Sequence, residues 1–309
     1  MTTESPLLFK NQQGRDAFAE QYPFAAHHFD QGVAKMHYID EGRGEVVVMV
    51  HGNPTWSYYY RNLVRELRGD YRCISMDHIG CGMSDVPPES EYSYTLRQRV
   101  DDLESLVNHL QLESFNMVVH DWGGMIGMAY ADRHPGKIKR VVVLNTAAFP
   151  LPESKKFPAP LWLTRTALGE HLVLRYNAFS RIAARVACRR KKISGLVMQA
   201  YAAPYEAPNR RIATLRFVQD IPLHPGDSGY DIISGVASRL TQFSGTPALI
   251  CWGMKDFVFD RHFLAEWERY WPHAEVHRFD DCGHYILEDA FEEILPLVRA
   301  HLQQPLTSQ

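Results

Sequence analysis

The sequence predicts an α/β fold: a mostly parallel central sheet with helices on both faces and an inserted helical cap. Three observations carry this. Strand-length apolar runs alternate with longer segments of helical spacing through the first half of the chain. That rhythm stops at about Pro150 and resumes after about Gly245. Polar motifs rich in Gly, Asp and His follow several of the apolar runs directly, where open α/β sheets bind their ligands.

The elements follow in order. HHFDQGVAKMHYIDEG (27–42) reads as an antiparallel hairpin. VVVMVHG (46–52), CISMDHIG (73–80), FNMVVHD (115–121) and VVVLNTA (141–147) are β-rich apolar runs without polar alternation. That pattern suits parallel strands covered on both faces. YTLRQRVDDLESLVNHLQL (94–112) places its apolar residues at helical spacing. ALICWGM (248–254) and AEVHRFDDCGH (274–284) resume the strands late. The middle is rich in Pro, Arg and aromatics and lacks long β-branched runs. We expect a core of residues 27–149 and 246–302, a mostly helical cap of 150–245 and an N-terminal extension of 1–26.

Composition bounds the function. The 309 residues suit one large domain, or one domain with an insertion, and 45% hydrophobic residues are ample for a core. A net charge of −3 gives no global pointer to nucleic acid. The five cysteines are scattered and include no CxxC pair, which argues against a disulfide framework or a zinc site. The N-terminal segment lacks a basic stretch followed by an apolar one, and no apolar run reaches membrane-spanning length. The expectation is a cytoplasmic protein with reduced thiols, no metal and no cofactor. The cap is basic: residues 151–216 hold thirteen Lys or Arg against three Asp or Glu, densest at RRKK (189–192). The bland reading is a solvated helix face. The sharper one is a docking patch for an acidic partner or an anionic membrane surface.

Four motifs at strand ends converge on one sheet edge: HGNPTW (51–56), HDWGG (120–124), WGMKDF (252–257) and DCGHYILED (281–289). A strand turning sharply into a helix is where α/β hydrolases hold their nucleophile, usually a serine. Here the elbow carries Asp121. Its bland reading is a helix N-cap. As a nucleophile it is already ionised and needs no base for its own activation. It suits displacement at sp3 carbon, which leaves an ester on the enzyme. His284 is the candidate base for resolving that ester, and Asp256 the acid that orients it, with Asp260, Asp280 and Asp281 as rivals. Asn53 and Trp122 supply backbone N–H groups for an oxyanion hole and side-chain N–H groups for a departing anion. Their bland readings are a turn residue before Pro54 and core packing. A binding module that had lost catalysis would lack the nucleophile or the histidine, and both are present.

With these motifs the sequence resembles the haloalkane dehalogenase and epoxide hydrolase branch of the α/β-hydrolase superfamily, over about residues 27–302. HGNP and HDWGG are shared by both activities. Val119, two places before the nucleophile, is as dehalogenases have it, where epoxide hydrolases usually carry Gly. Epoxide hydrolases also use two cap tyrosines, for which Tyr176, Tyr201 and Tyr205 are the candidates. Further stretches resemble the cis-3-alkyl-4-alkyloxetan-2-one (β-lactone) decarboxylases of bacterial long-chain olefin biosynthesis. They are DHIGCGMSD (77–85), HDWGGMIGMAYADRHP (120–135), VLNTAAF (143–149), NAF (177–179), TLRFVQDIPLHPGD (214–227) and CWGMKDFVFDRHFLAEW (251–267). The resemblance implies conversion of a cis-3,4-dialkyl β-lactone with long alkyl chains into a cis-alkene and carbon dioxide. It also implies pathway partners, among them a β-lactone synthetase and a reductase. Haloalkane dehalogenation is the alternative it leaves open, and epoxide hydrolysis a more distant one.

Overall fold

The computed structural model describes residues 7–306. Eight strands form one sheet: β1 (His27–Asp30), β2 (Lys35–Glu41), β3 (Glu45–Val50), β4 (Tyr71–Met76), β5 (Phe115–Asp121), β6 (Ile138–Thr146), β7 (Ala248–Gly253) and β8 (Glu275–Phe279). Their order across the sheet is β1-β2-β4-β3-β5-β6-β7-β8. β2 pairs antiparallel with β1 and β4, and every other pairing is parallel. The hairpin read at 27–42 is therefore β1 and β2. The run 73–80 is shifted: its strand begins at Tyr71 and ends at Met76, and Asp77–Gly80 turns away.

Side-chain alternation explains why the central runs are apolar throughout. Val48 and Val50 of β3 enter one core, with Met117, Val119, Val141 and Ile250. Val47 and Met49 enter the other, with Val118, Val142, Leu249 and Cys251. Helices Leu96–His109, Trp122–Arg133, Tyr230–Arg239 and Arg261–Tyr270 cover the first face. Helices Arg61–Leu67 and Phe291–Gln303 cover the second. Helix Leu96–His109 is capped by the Thr95 side chain and turns Leu96, Val100, Leu103 and Leu106 inward, as its spacing requires.

Between β6 and β7 the chain leaves the sheet and forms helices Ala159–Thr164, Ala167–Tyr176, Ala178–Val186, Gly195–Ala202 and Ile212–Gln219. The next helix, Tyr230–Arg239, returns to the sheet layer and packs on helix Trp122–Arg133. The N-terminal stretch, for which the sequence pattern gave no element, holds helix Gln12–Gln21. It packs on helix Gly195–Ala202, with Phe18 and Tyr22 joined to Trp56 and Tyr58 in an aromatic cluster.

The chain runs from β3 to β4 on one side and then crosses to β5 on the other. β3 and β5 are neighbours in the sheet, so the switch point lies between them. The loops after these two strands carry HGNPTW and HDWGG.

Candidate active site

At the end of β5 the backbone turns through Asp121, with φ 53° and ψ −124°. A non-glycine residue in this region is strained and persists only where its surroundings fix it. Three contacts do so. Thr146 donates its hydroxyl to the Asp121 carbonyl and accepts the Gly124 N–H at 3.1 Å. The Asn53 N–H donates to Asp121 Oδ1 at 2.6 Å. The glycines that follow serve close approach. A Cβ on Gly123 would lie 1.9 Å from the Val50 carbonyl oxygen, and one on Gly124 would lie 2.0 Å from Thr146 Oγ1. Asp121 occupies the N-cap position of helix Trp122–Arg133, but its side chain makes no capping hydrogen bond. It faces His284 instead.

His284 Nε2 lies 3.5 Å from Asp121 Oδ2, and His284 Nδ1 lies 2.7 Å from Asp256 Oδ2. Asp256 is fixed in turn. Asn145 Nδ2 donates to its Oδ2 at 3.1 Å, and the Val258 N–H donates to its Oδ1 at 2.8 Å. The rival acids are elsewhere. Asp260 caps helix Arg261–Tyr270 and pairs with Lys155. Asp280 and Asp281 are exposed, and Asp281 pairs with Arg190.

Burial and charge set the protonation states. Burial pushes the Asp121 carboxyl up, but the adjacent His284 and the Asn53 N–H help to outweigh it and hold Asp121 below the usual carboxylate value. Burial works against a charged His284, yet the Asp256 and Asp121 carboxylates overcome it and raise His284 to about 10. His120 is the opposite case: burial, then the His284 charge, lowers it to about 3. It is thus neutral, and its Nε2 donates to the His284 carbonyl at 2.9 Å. At neutral pH the site is an Asp121 carboxylate beside a His284 cation.

The Asn53 side-chain Nδ2 donates to the Thr214 carbonyl of the cap at 3.0 Å, and its Oδ1 is buried without a partner among the described residues. One amide hydrogen is therefore taken by the cap and one remains. The Trp122 indole packs edge-on to Phe217, whose other side bears the Arg99 guanidinium 3.5 Å from its ring centre. Asn53, Asp121, Trp122 and His284 all line one cavity of about 270 Å³. Besides those four, Thr164 is its single other lining residue with a polar side-chain group among the described residues. Its remaining walls are Met, Ala, Leu, Ile, Val, Phe, Pro and Gly. None of the three cap tyrosines lines it. Tyr176 is exposed, the Tyr201 hydroxyl donates to Glu288 at 2.5 Å, and the Tyr205 hydroxyl lies 3.5 Å from the Thr55 carbonyl.

Sequence reasoning gave no role to three residues that organise this site. Asn145 (φ 34°) joins β6 to Gly253 and to Asp256. Thr146 holds the elbow. Asp289, fully buried, accepts the N–H groups of Gly283 at 2.7 Å, Arg189 at 2.8 Å, Lys191 at 3.0 Å and Arg190 at 3.1 Å. It thereby ties the RRKK loop to the His284 loop. Two cations of that run are spent on the core: Arg190 pairs with Asp281 and Glu293, and Lys191 with Glu292. The only sequence signal was a polar residue at the end of an apolar run, or in the last motif, with nothing to name its partner. DHIGCGMSD likewise proves to be a brace. Asp77 accepts the Ser57 N–H at 2.7 Å, the Met83 N–H at 2.8 Å and the His37 Nδ1–H at 2.8 Å, and so holds the HGNPTW loop against β2.

The family model for the α/β-hydrolase fold matches residues 45–291. A cis-3-alkyl-4-alkyloxetan-2-one decarboxylase from Shewanella oneidensis is 54% identical over 287 residues, covering 92% of this chain and 90% of the relative. One from Xanthomonas campestris is 47% identical over 282 residues, covering 88% of this chain and 93% of the relative. Among solved structures, a haloalkane dehalogenase from Bradyrhizobium elkani superimposes with a TM-score of 0.82 at 27% identity, over 90% of this chain and 97% of that one. The chain belongs to the α/β-hydrolase fold family and, within it, to the group of the cis-3-alkyl-4-alkyloxetan-2-one decarboxylases.

Proposed function

We propose that this enzyme decarboxylates cis-3,4-dialkyl β-lactones to cis-alkenes, with Asp121 as nucleophile. The observation that carries the reading is the Asp121 carboxylate, with Asn53, Trp122 and His284, in a cavity whose other lining is apolar except for Thr164. The relatives at 54% and 47% identity support the substrate class. We further propose that residues 27–149 and 246–302 act as the catalytic core and that the insertion 150–245 acts as the cap that selects the substrate, except for its last helix, Tyr230–Arg239, which packs back on the core. The apolar walls suit long alkyl chains.

The chemistry balances without water or a proton. Asp121 attacks C4 of the lactone ring and the C4–O bond breaks with inversion. The bond pair leaves with the ring oxygen, which becomes a carboxylate on C3. The free Asn53 amide hydrogen and the Trp122 indole N–H receive that carboxylate. The C3–CO2 bond pair then forms the C3=C4 double bond, carbon dioxide departs, and the C4–O bond to Asp121 breaks. Asp121 is regenerated as a carboxylate. Inversion followed by anti elimination converts the cis lactone into the cis alkene. Attack at the lactone carbonyl, giving an anhydride, is the competing first step. His284 acts as a fixed cation that accompanies the charge as it leaves Asp121 and returns, held by Asp256.

The test offers a cis-dialkyl β-lactone and a bromoalkane in parallel. Equal amounts of cis-alkene and carbon dioxide from the lactone, with β-hydroxy acid at most minor, are expected. Hydroxy acid as the main product, or efficient hydrolysis of the bromoalkane with the lactone untouched, returns the protein to haloalkane dehalogenation.

A further inference from the structure

We propose that the rim of the cap is a docking surface for an anionic lipid bilayer, and that it turns the mouth of the active-site cavity toward the acyl chains. The inference rests on the reading of the cavity as a site for long alkyl chains. Its test does not use the lactone.

The mouth is identified by residues that both line the cavity and face solvent. Leu163 is 44% exposed, Ile182 54% and Phe257 37%, and all three line the cavity. Apolar residues continue outward from them. Trp162, 51% exposed, stacks edge-on against the cavity-lining Phe157. Leu168, 61% exposed, begins the helix that packs on Ala159–Thr164. Several exposed apolar side chains that line one cavity, or pack on residues that do, need an explanation that a lone exposed leucine does not. An indole at such a rim suits a membrane–water interface, where its apolar body and polar N–H are both accommodated.

Charge decides the kind of surface. Residues 151–216 hold thirteen Lys or Arg against three Asp or Glu, while the rest of the chain holds twenty against thirty-three. The protein is acidic overall and basic on this one segment. Part of that charge is neutralised within the molecule: Arg181 pairs with Glu206, Arg190 with Asp281, and Lys191 with Glu292. Lys156, Arg175 and Arg185 are exposed and form no ion pair among the described residues. Two of them sit with the apolar rim: Lys156 precedes Phe157, and Arg175 shares a helix stripe with Leu168. Arg185 lies on the helix that carries Ile182 but lines a separate pocket with Gly195 and Met198. The acidic residues nearest in sequence are Glu153 and Glu170. Exposed apolar side chains interleaved with unpaired cations match an anionic bilayer, in which acyl chains lie beneath negative headgroups. An acidic protein would use the cations and leave the apolar rim wet.

Trp162 gives the experiment its reporter. The other five tryptophans are at most 3% exposed. The full chain is mixed with vesicles of equal parts phosphatidylglycerol and phosphatidylcholine, or of phosphatidylcholine alone, and binding is read by cosedimentation. We expect binding to the anionic vesicles that weakens with salt, and quenching of Trp162 emission by lipids brominated on the acyl chain. Lys156→Ala and Arg175→Ala should each weaken binding about fivefold. Leu168→Ser should weaken binding and leave the thermal unfolding transition unchanged. Absence of vesicle binding at low salt overturns the proposal. So does binding without quenching of Trp162. Binding to soluble polyglutamate but not to vesicles assigns the patch to an acidic protein and also overturns it. Concentration-dependent dimerisation that shields Trp162 without lipid does the same.

Discussion

The sheet edge and the cap hold their residues in opposite ways. At the edge, each polar group is fixed by another polar group. Asn53 holds Asp121, Asp256 holds His284, and Asn145 holds Asp256. In the cap, the cavity walls are apolar side chains except for Thr164, and these side chains meet by packing. The two meet at a seam of backbone contacts. Asn53 Nδ2 reaches the Thr214 carbonyl, the Tyr285 N–H reaches the Ala187 carbonyl, and Asp289 gathers the N–H groups of 189–191. The difference teaches a division of labour. Hydrogen bonds are directional and can aim a nucleophile, whereas packing sets only shape and volume. Changes at the edge should therefore alter the rate of the chemical step. Changes in the cap should alter which substrate is accepted.

The largest expected effect is at the edge. Asp121→Ala should abolish turnover of lactone and bromoalkane alike while the thermal unfolding transition persists. More than a few per cent residual activity in the folded variant would end the covalent mechanism.

Next comes the proposed anion clamp. Asn53→Ala and Trp122→Phe should each slow a single turnover about 100- to 1000-fold if they face developing charge. An unchanged rate in both would move these residues from chemistry to packing. For Asn53 the same variant also cuts the link to Thr214. A rise in KM beyond the loss in kcat would therefore report the cap rather than the clamp.

His284 separates two chemistries at one edge. Its replacement by Gln should stop bromoalkane hydrolysis and trap an alkyl ester on Asp121, visible as added mass. With the β-lactone the same variant should accumulate less adduct, because that intermediate collapses without water. Equal trapping with both substrates would show that water resolves both.

The pH profile should be broad. Asp121 must be ionised, and its carboxyl is held below its ordinary value. The acid limb should therefore lie below the usual Asp pKa of about 3.9, with activity lost as pH falls through it. His284 is raised to about 10, so loss of its charge should bring the alkaline limb only near that pH. Asp256→Asn removes the anion that supports the cation, and should move the alkaline limb to lower pH. An unmoved limb would mean that the imidazolium plays no part.

The smallest effects belong to the seam. Asp289→Asn keeps the shape but weakens charge-assisted bonds to four N–H groups, and should cost about 1–3 kcal/mol in stability. Arg190→Ala breaks exposed pairs and should leave the unfolding temperature near that of the wild type. A large loss from Arg190→Ala would show that the seam depends on its charges rather than on Asp289.

Much of the fold was legible. The central parallel strands announced themselves because both of their faces are buried, so their sequences are largely apolar, whereas the edge strand β8 is only partly buried and carries Glu275, His277 and Arg278. The elbow was legible because a carboxylate between a strand and a glycine pair has few structural uses. Asn145, Thr146 and Asp289 were not legible. Each looks like an ordinary polar residue until its partner arrives, and the partners of Asn145 lie more than a hundred residues away. The helix Gln12–Gln21 was missed because its burial comes from a cap helix and the HGNPTW loop, not from a strong apolar stripe of its own.

By itself the sequence determined the fold class, the elbow and the residue types available for catalysis. These depend on local pattern, since strand period, helix spacing and turn chemistry are all written within a few residues. Only the tertiary structure decided which of four acids faces His284. It also decided that half of the RRKK run is paired to the core, and that the cap tyrosines stay out of the cavity. Such choices depend on distances between segments remote in the chain. Coulomb attraction and hydrogen bonding act over those distances, and spacing along the sequence does not encode them.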